Sequence, residues 1–155
     1  MKSNADNFVV FKLEHDFFAI PVSIAYEVIE YQEPTEVPDI DNFIKGIVNV
    51  RGNILPIIDL RLKFDFEEKA PTVETVIIIL DLDINNRKYN IGIIVDKVIS
   101  VLEIKDNQKL SVPNIGSKYK PYFVNGIYKM NTEYVAILNI IKIFTKNEIT
   151  KIINN

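Results

Sequence analysis

The chain repeats itself. FIKGIVNVRGNILPIIDL, Phe43 to Leu60, lies over FVNGIYKMNTEYVAILNI, Phe123 to Ile140, at an offset of 80 residues and without a gap. Phe43 meets Phe123, Gly46 meets Gly126, Ile47 meets Ile127, Ile57 meets Ile137 and Asp59 meets Asn139. Upstream, FAIPVSIAYEVIE (Phe18 to Glu30) falls on IGIIVDKVISVLE (Ile91 to Glu103), and Val37-Pro38 falls on Val112-Pro113. Three blocks in one order identify a duplicated supersecondary unit. The offset drifts from 73 through 75 to 80, which marks insertions between the blocks, GSKYK (Gly116 to Lys120) being the clearest.

Each unit opens on an apolar strand (FVVFKL, Phe8 to Leu13; VIIILDL, Val76 to Leu82), passes a polar turn and enters a second strand, which is a hairpin signature. A short turn with helical potential follows, then a strand rich in β-branched residues that ends at a proline, then the long hairpin of the first match. Five short strands per unit predict an all-β protein made of two small closed barrels in tandem, because closure removes sticky sheet edges. The pattern places one domain over residues 1–155, with a first barrel over about 14–75, a second over 76–145, the strand 8–13 shared between them, and a C-terminal helix over 146–153. Strands as continuously apolar as VIIILDL imply burial on both faces, one filling a barrel and the other packing on its sister. In the tail, Thr145 and Glu148 are spaced as a capping box ahead of a stripe of Ile149, Ile152 and Ile153.

Composition excludes several functions. At 155 residues, 48% hydrophobic and 25% charged, the chain can bury a core without staples. Its net charge is −3, and its three arginines, Arg51, Arg61 and Arg87, are scattered, so it lacks the clustered basic face that nucleic-acid backbones require. Tyr119, Tyr122 and Phe123 beside Lys118 and Lys120 offer rings for base stacking, but the acidic whole opposes it. With no cysteine there is no disulfide framework, thiolate nucleophile or Cys-type zinc site, which fits a reducing, cytoplasmic setting. The longest apolar run, Val76 to Leu80, is far short of the roughly 20 residues that span a bilayer, so no membrane insertion is expected. His15, the only histidine, falls at a hairpin turn, and Asp81, Asp83 and Asp96 read as solvated strand ends. No Ser-His-Asp spacing, Walker pattern or GxGxxG appears. No catalytic residue, metal or cofactor is expected.

One position escapes this structural account. At the tip of the long hairpin the first unit has Arg51-Gly52-Asn53 where the second has Asn131-Thr132-Glu133. Gly52 suits a turn that needs positive φ, but the unit can be folded without the arginine. A guanidinium is a rigid fork of donors suited to a partner's carboxylates or carbonyls; the alternative is a solvated turn arginine.

The stretch FIKGIVNVRGNILPIIDLRLKF, Phe43 to Phe64, resembles the most characteristic segment of the CheW family of chemotaxis coupling proteins, an apolar-Asn-apolar-Arg-Gly hairpin followed by P-apolar-apolar-D-L-R. The similarity extends through FFAIPVSIAYEVIEYQEPTEVP before it and NIGIIVDKVISVLEI after it, from Phe8 to about Ile149. It implies two intertwined five-stranded SH3-like barrels and a non-catalytic adaptor of two-component signalling. Such an adaptor, a monomer when isolated, joins the cytoplasmic hairpin tip of a chemoreceptor to the regulatory domain of the histidine kinase CheA. The positions matching the family's receptor-binding groove are Ile24, Ala25, Glu27 and Val28 after the second strand, Asn49, Arg51 and Gly52 at the hairpin tip, and Val98 and Val101 in the second unit. Glu27 and Arg51 are expected to set register by complementary charge, whereas the apolar positions also read as core between barrels, Val98 and Val101 equally so. Leu110, Asn114 and Ile115, in LSVPNI, match a kinase-contacting loop, although some members carry a basic residue at the first and some an acidic one at the second. The alternatives are a CheW-like subunit of another two-component system, and a small ligand-binding barrel or enzyme, which a deep polar pocket of ionisable groups would favour.

Overall fold

The computed structural model describes residues 5–38, 43–112 and 123–154. The first repeat contributes β1 (Ala5–Leu13), β2 (Asp16–Pro21), β3 (Ala25–Glu30), β4 (Ile44–Val50) and β5 (Asn53–Asp59), then a helical turn α1 (Leu60–Lys63). The second contributes β6 (Val76–Ile84), β7 (Arg87–Val95), β8 (Lys97–Lys105), β9 (Val124–Met130) and β10 (Glu133–Leu138), then α2 (Ile140–Ile143) and a terminal helix α3 (Lys146–Ile153). The repeats match strand for strand and in the helical turn that follows the fifth strand. Even the Asp59 and Asn139 pairing has a cause: each caps the helical turn after the last strand of its repeat, accepting from Arg61 N at 3.0 Å and Lys142 N at 3.3 Å.

The strands form two five-stranded sheets, ordered β8-β1-β2-β10-β9 and β3-β6-β7-β5-β4. Each sheet therefore combines the opening hairpin of one repeat with the last three strands of the other. The inserted strands β2 and β7 pair parallel with β10 and β5, and every other ladder is antiparallel. A cut at 75/76 divides the repeats in sequence but not the sheets.

The expected closed barrels are not formed: among the described residues no ladder joins the two edge strands of either sheet. One isolated bridge does part of that work in each. Thr35, beyond β3, exchanges two 2.9 Å hydrogen bonds with Ile47 of β4, and Leu110, beyond β8, exchanges bonds of 2.7 and 2.9 Å with Ile127 of β9. The matched glycines lie at these bridges. A Cβ on Gly46 would stand 2.4 Å from the Thr35 carbonyl oxygen, and one on Gly126 would stand 3.4 Å from that of Leu110, so the first bridge tolerates no side chain there.

Burial follows strand alternation. In β1, Val9, Phe11 and Leu13 enter a central core between the sheets, while Phe8 and Val10 enter the interior of their own sheet. In β6, Ile78, Leu80 and Leu82 face the central core and Ile77 and Ile79 the interior of the second sheet. The two-faced burial inferred from VIIILDL thus has distinct destinations. The capping box opens α3 through Thr145 N to Glu148 Oε1 (2.9 Å) and Glu148 N to Thr145 Oγ1 (3.1 Å), and Ile149, Ile152 and Ile153 pack on the central core.

Candidate functional site

The hairpin tip is built for display. Arg51 and Gly52 both adopt positive φ, 50° and 86°, the pattern of a type I′ turn whose twist matches the flanking strands. Asn49 stabilises it by accepting from Gly52 N at 2.9 Å. At the matching tip Asn131 has φ 57° and Thr132 is not in that region, so the second repeat turns with one left-handed residue instead of two. A non-glycine residue in this conformation costs about 1–2 kcal/mol, and arginine has no local hydrogen bond that would favour it there.

Arg51 does not wait alone for a partner's carboxylate. Its guanidinium forms a two-pronged ion pair with Glu27 of β3, Nη1 to Oε2 at 3.0 Å and Nη2 to Oε1. The pair links the hairpin at one edge of the second sheet to the strand at the other, on a surface where the Arg51 side chain is 64% exposed. Hydrogen bonding from Arg51 holds the Glu27 carboxyl below its ordinary value of 4.5, and Glu27 in turn raises the guanidinium. A carboxyl with a lower pKa in the folded state contributes above its unfolded value and loses that contribution as pH falls through the folded one. A carbon-detected NMR titration should therefore place the Glu27 midpoint below 4.5, and in Arg51→Ala it should return upward. In the second repeat the corresponding residues are Ser100 and Asn131, both uncharged. The pair belongs to one repeat only.

The apolar candidates divide into two groups. Ile24, Ala25 and Val98 are half-buried and pack on the central core. Val28 and Val101 are 46% and 60% exposed. Both lie in register with central-core residues, Val28 opposite Ile78 and Val101 opposite Val9, so they stand where that core opens at the sheet edges. Ala25, Glu27 and Val28, expected in a turn, belong instead to the edge strand β3, because all three find ladder partners in β6. Two exposed neighbours escaped the sequence reading: Val22 and Tyr26, 40% and 65% exposed. A β-bulge between Ala25 and Glu27 leaves Tyr26 without a ladder partner, and no strand-alternation pattern reveals a bulge. Leu110 is 49% exposed beside its bridge to β9. Asn114, Ile115 and the insertion 117–122 lie outside the described residues.

A polar cavity of about 340 Å³ also exists, lined by Tyr31, Glu33, Lys45, Asp59, Arg61 and Glu68 among others. It is the kind of pocket that would favour a ligand-binding or catalytic role, yet its ionisable groups bind one another. Tyr31 donates to Glu33 at 2.6 Å, and Lys45 pairs with Glu68 at 2.7 Å. Burial and Glu33 push the Tyr31 phenol up to about 12, away from any proton-transfer role near neutrality. Arg61 is 2% exposed and is held by Asp96 at 2.7 Å and the Lys69 carbonyl at 3.0 Å. Among the described residues no cluster of His, Cys, Asp or Glu could hold a metal ion, and no helix is long and apolar enough to cross a membrane.

The model of the CheW-like domain matches residues 7–148. The chain belongs to the CheW family. It is 27% identical over 146 residues to the chemotaxis protein CheW of Treponema pallidum, covering 94% of this chain and 86% of that one. The corresponding protein of Thermotoga maritima is 30% identical over 135 residues, covering 86% and 83%. The crystal structure of the scaffolding protein TtCheW from Thermoanaerobacter tengcongensis superimposes with a TM-score of 0.79 at 30% identity, covering 92% of this chain and 89% of that one. The CheW family consists of non-catalytic scaffold proteins of chemotaxis, and this chain is one of them. The paired charges in the cavity accord with that assignment.

Proposed function

We propose that the chain couples the cytoplasmic hairpin tip of a chemoreceptor to the regulatory domain of the histidine kinase CheA, working in the cytoplasm as a monomer until it joins both partners. The observation that carries this proposal is the exposed Glu27–Arg51 pair, held at a strained turn and flanked by the exposed Val28. Apolar residues where the central core opens suit the apolar face of a helix. The fixed pair beside them presents both signs of charge and penalises a helix in the wrong register. Kinase contact is assigned to the other repeat, around Leu110 with Asn114 and Ile115.

Arg51→Glu is the direct test. An exposed ion pair contributes little to stability, so the variant should fold and melt within a few degrees of the parent. Facing Glu27 it places two carboxylates where one pair stood, and receptor control of the kinase in a reconstituted array should be lost. Undiminished control would overturn the receptor assignment. Sedimentation of the chain with the kinase's regulatory domain checks the other half, where the expected result is a complex that survives Arg51→Glu.

A further inference from the structure

The charges in the polar cavity bind one another, but not completely. Arg61 Nε is buried and has no hydrogen-bond partner, the one side-chain atom in that state among the described residues. It lies 3.6 Å from Asp59 Oδ1, too far for a hydrogen bond, and that oxygen already accepts from Arg61 N at 3.0 Å. The other oxygen of the buried Asp59 accepts no hydrogen bond among the described residues. Buried polar groups are nearly always bonded, and an unmade bond is costly. A donor and an acceptor therefore stand side by side in the wall of a cavity of about 340 Å³, and the protein satisfies neither. Two further lining groups have capacity to spare. The buried Thr75 hydroxyl accepts from Thr72 N at 2.8 Å but donates to nothing among the described residues, and Tyr31 donates to Glu33 but accepts nothing there. The lining charges balance, Lys45, Arg61 and Lys69 against Glu33, Asp59 and Glu68. Where the first repeat has Lys45, Asp59 and Arg61, the second has Asn125, Asn139 and Ile141, so the repeat can be folded without a charged cavity.

We propose that this cavity is a binding site for a small α-amino acid. Such a zwitterion is net neutral, as the lining is, and it carries an acceptor and a donor on neighbouring groups. Its carboxylate accepts from Arg61 Nε–H, its ammonium group donates to the unspent oxygen of Asp59, and Thr75 and Tyr31 supply one more donor and one more acceptor on the wall. A lone anion would meet three carboxylates and a lone cation three cationic side chains. A single water, with a share of liquid volume of about 30 Å³, leaves most of the space unclaimed. The site shares no residue with the Glu27–Arg51 surface, and it stands or falls apart from the receptor assignment.

The test titrates the full chain with L-alanine and, separately, with acetate, methylammonium and inorganic phosphate, following the side-chain Nε–H resonance of Arg61 by heteronuclear NMR. L-Alanine is expected to shift that resonance saturably, and the other three to bind about tenfold more weakly or worse, because each supplies only one of the two partners. Asp59→Asn keeps a side chain able to cap the helical turn, as Asn139 does in the second repeat, but replaces the charged acceptor by an amide. It should weaken L-alanine binding about tenfold or more with the circular dichroism spectrum of the parent. No saturable shift with L-alanine means that the cavity holds only water and overturns the proposal. Acetate or phosphate binding as tightly as L-alanine makes the site one for anions and overturns the zwitterion reading, as does an Asp59→Asn chain that folds and binds L-alanine like the parent. The probe series on the parent decides the matter even if that variant does not fold.

Discussion

Arg61→Met is expected to lower the free energy of unfolding by about 3–5 kcal/mol, the range found when one partner of a buried ion pair is removed. The guanidinium is 2% exposed. It donates to Asp96 Oδ1 at 2.7 Å and to the Lys69 carbonyl at 3.0 Å, and its Nε lies 3.6 Å from Asp59. Asp96 lies between β7 of one sheet and β8 of the other, and its second oxygen accepts from Glu14 N, in the β1–β2 turn, at 2.7 Å. The arginine therefore ties both sheets and the segment between the repeats. Without it, Asp59, already raised by burial, and Asp96 are left as uncompensated carboxylates. The deficit should shrink as pH falls, because protonation relieves a buried acid whose folded pKa is raised. The second repeat supplies a control: the positions matching Arg61, Asp59 and Asp96 are Ile141, Asn139 and Ser23, an uncharged version of the same corner. The triple variant Arg61→Ile, Asp59→Asn, Asp96→Ser should accordingly recover most of the loss. Urea unfolding midpoints measure both, and a single variant as stable as the parent would refute the tie.

Chains of residues 1–75 and 76–155 are each expected to remain without cooperative structure, and to form the native sheets when mixed in equal amounts. The hairpin of β1 and β2 has its lateral partners in β8 and β10, and that of β6 and β7 in β3 and β5. Separation leaves each half with two lone hairpins, β1–β2 and β4–β5 or β6–β7 and β9–β10, each marginal in water, and with β3 or β8 stripped of its ladder partner. The central core also draws on both halves, with Phe11 and Ile20 from one and Ile78 and Ile93 from the other. Far-UV circular dichroism of each piece and of the mixture decides the matter. A sharp thermal transition from either half alone would show that the exchange of hairpins is not what holds the protein together.

The duplication, the hairpins and the two-faced strands were readable from residue patterns because they rest on local physics: alternation, turn chemistry and capping spacing. Arg51 stood out for the same reason, since the second repeat makes the corresponding turn without it. What the patterns hid was long-range. Glu27 and Arg51 are 24 positions apart and on different strands, so their union depends on two edges of one open sheet approaching each other. Tyr26 was missed because a bulge follows from how β3 fits against β6, not from the six residues of β3 itself. Arg61 read as one more arginine of a familiar motif, and its buried partners, one of them 35 positions away, appear only when the sheets are packed.

By itself the amino-acid order determined that this protein is built twice from one five-strand plan and that an arginine stands at the tip of one copy without being needed to fold it. Only the tertiary structure decided that the copies exchange their first hairpins, that their sheets stay open, and that the arginine's fork is already closed on Glu27. Pattern along a strand is set by which face is buried, whereas partners across sheets are set by packing of residues that are distant in the chain.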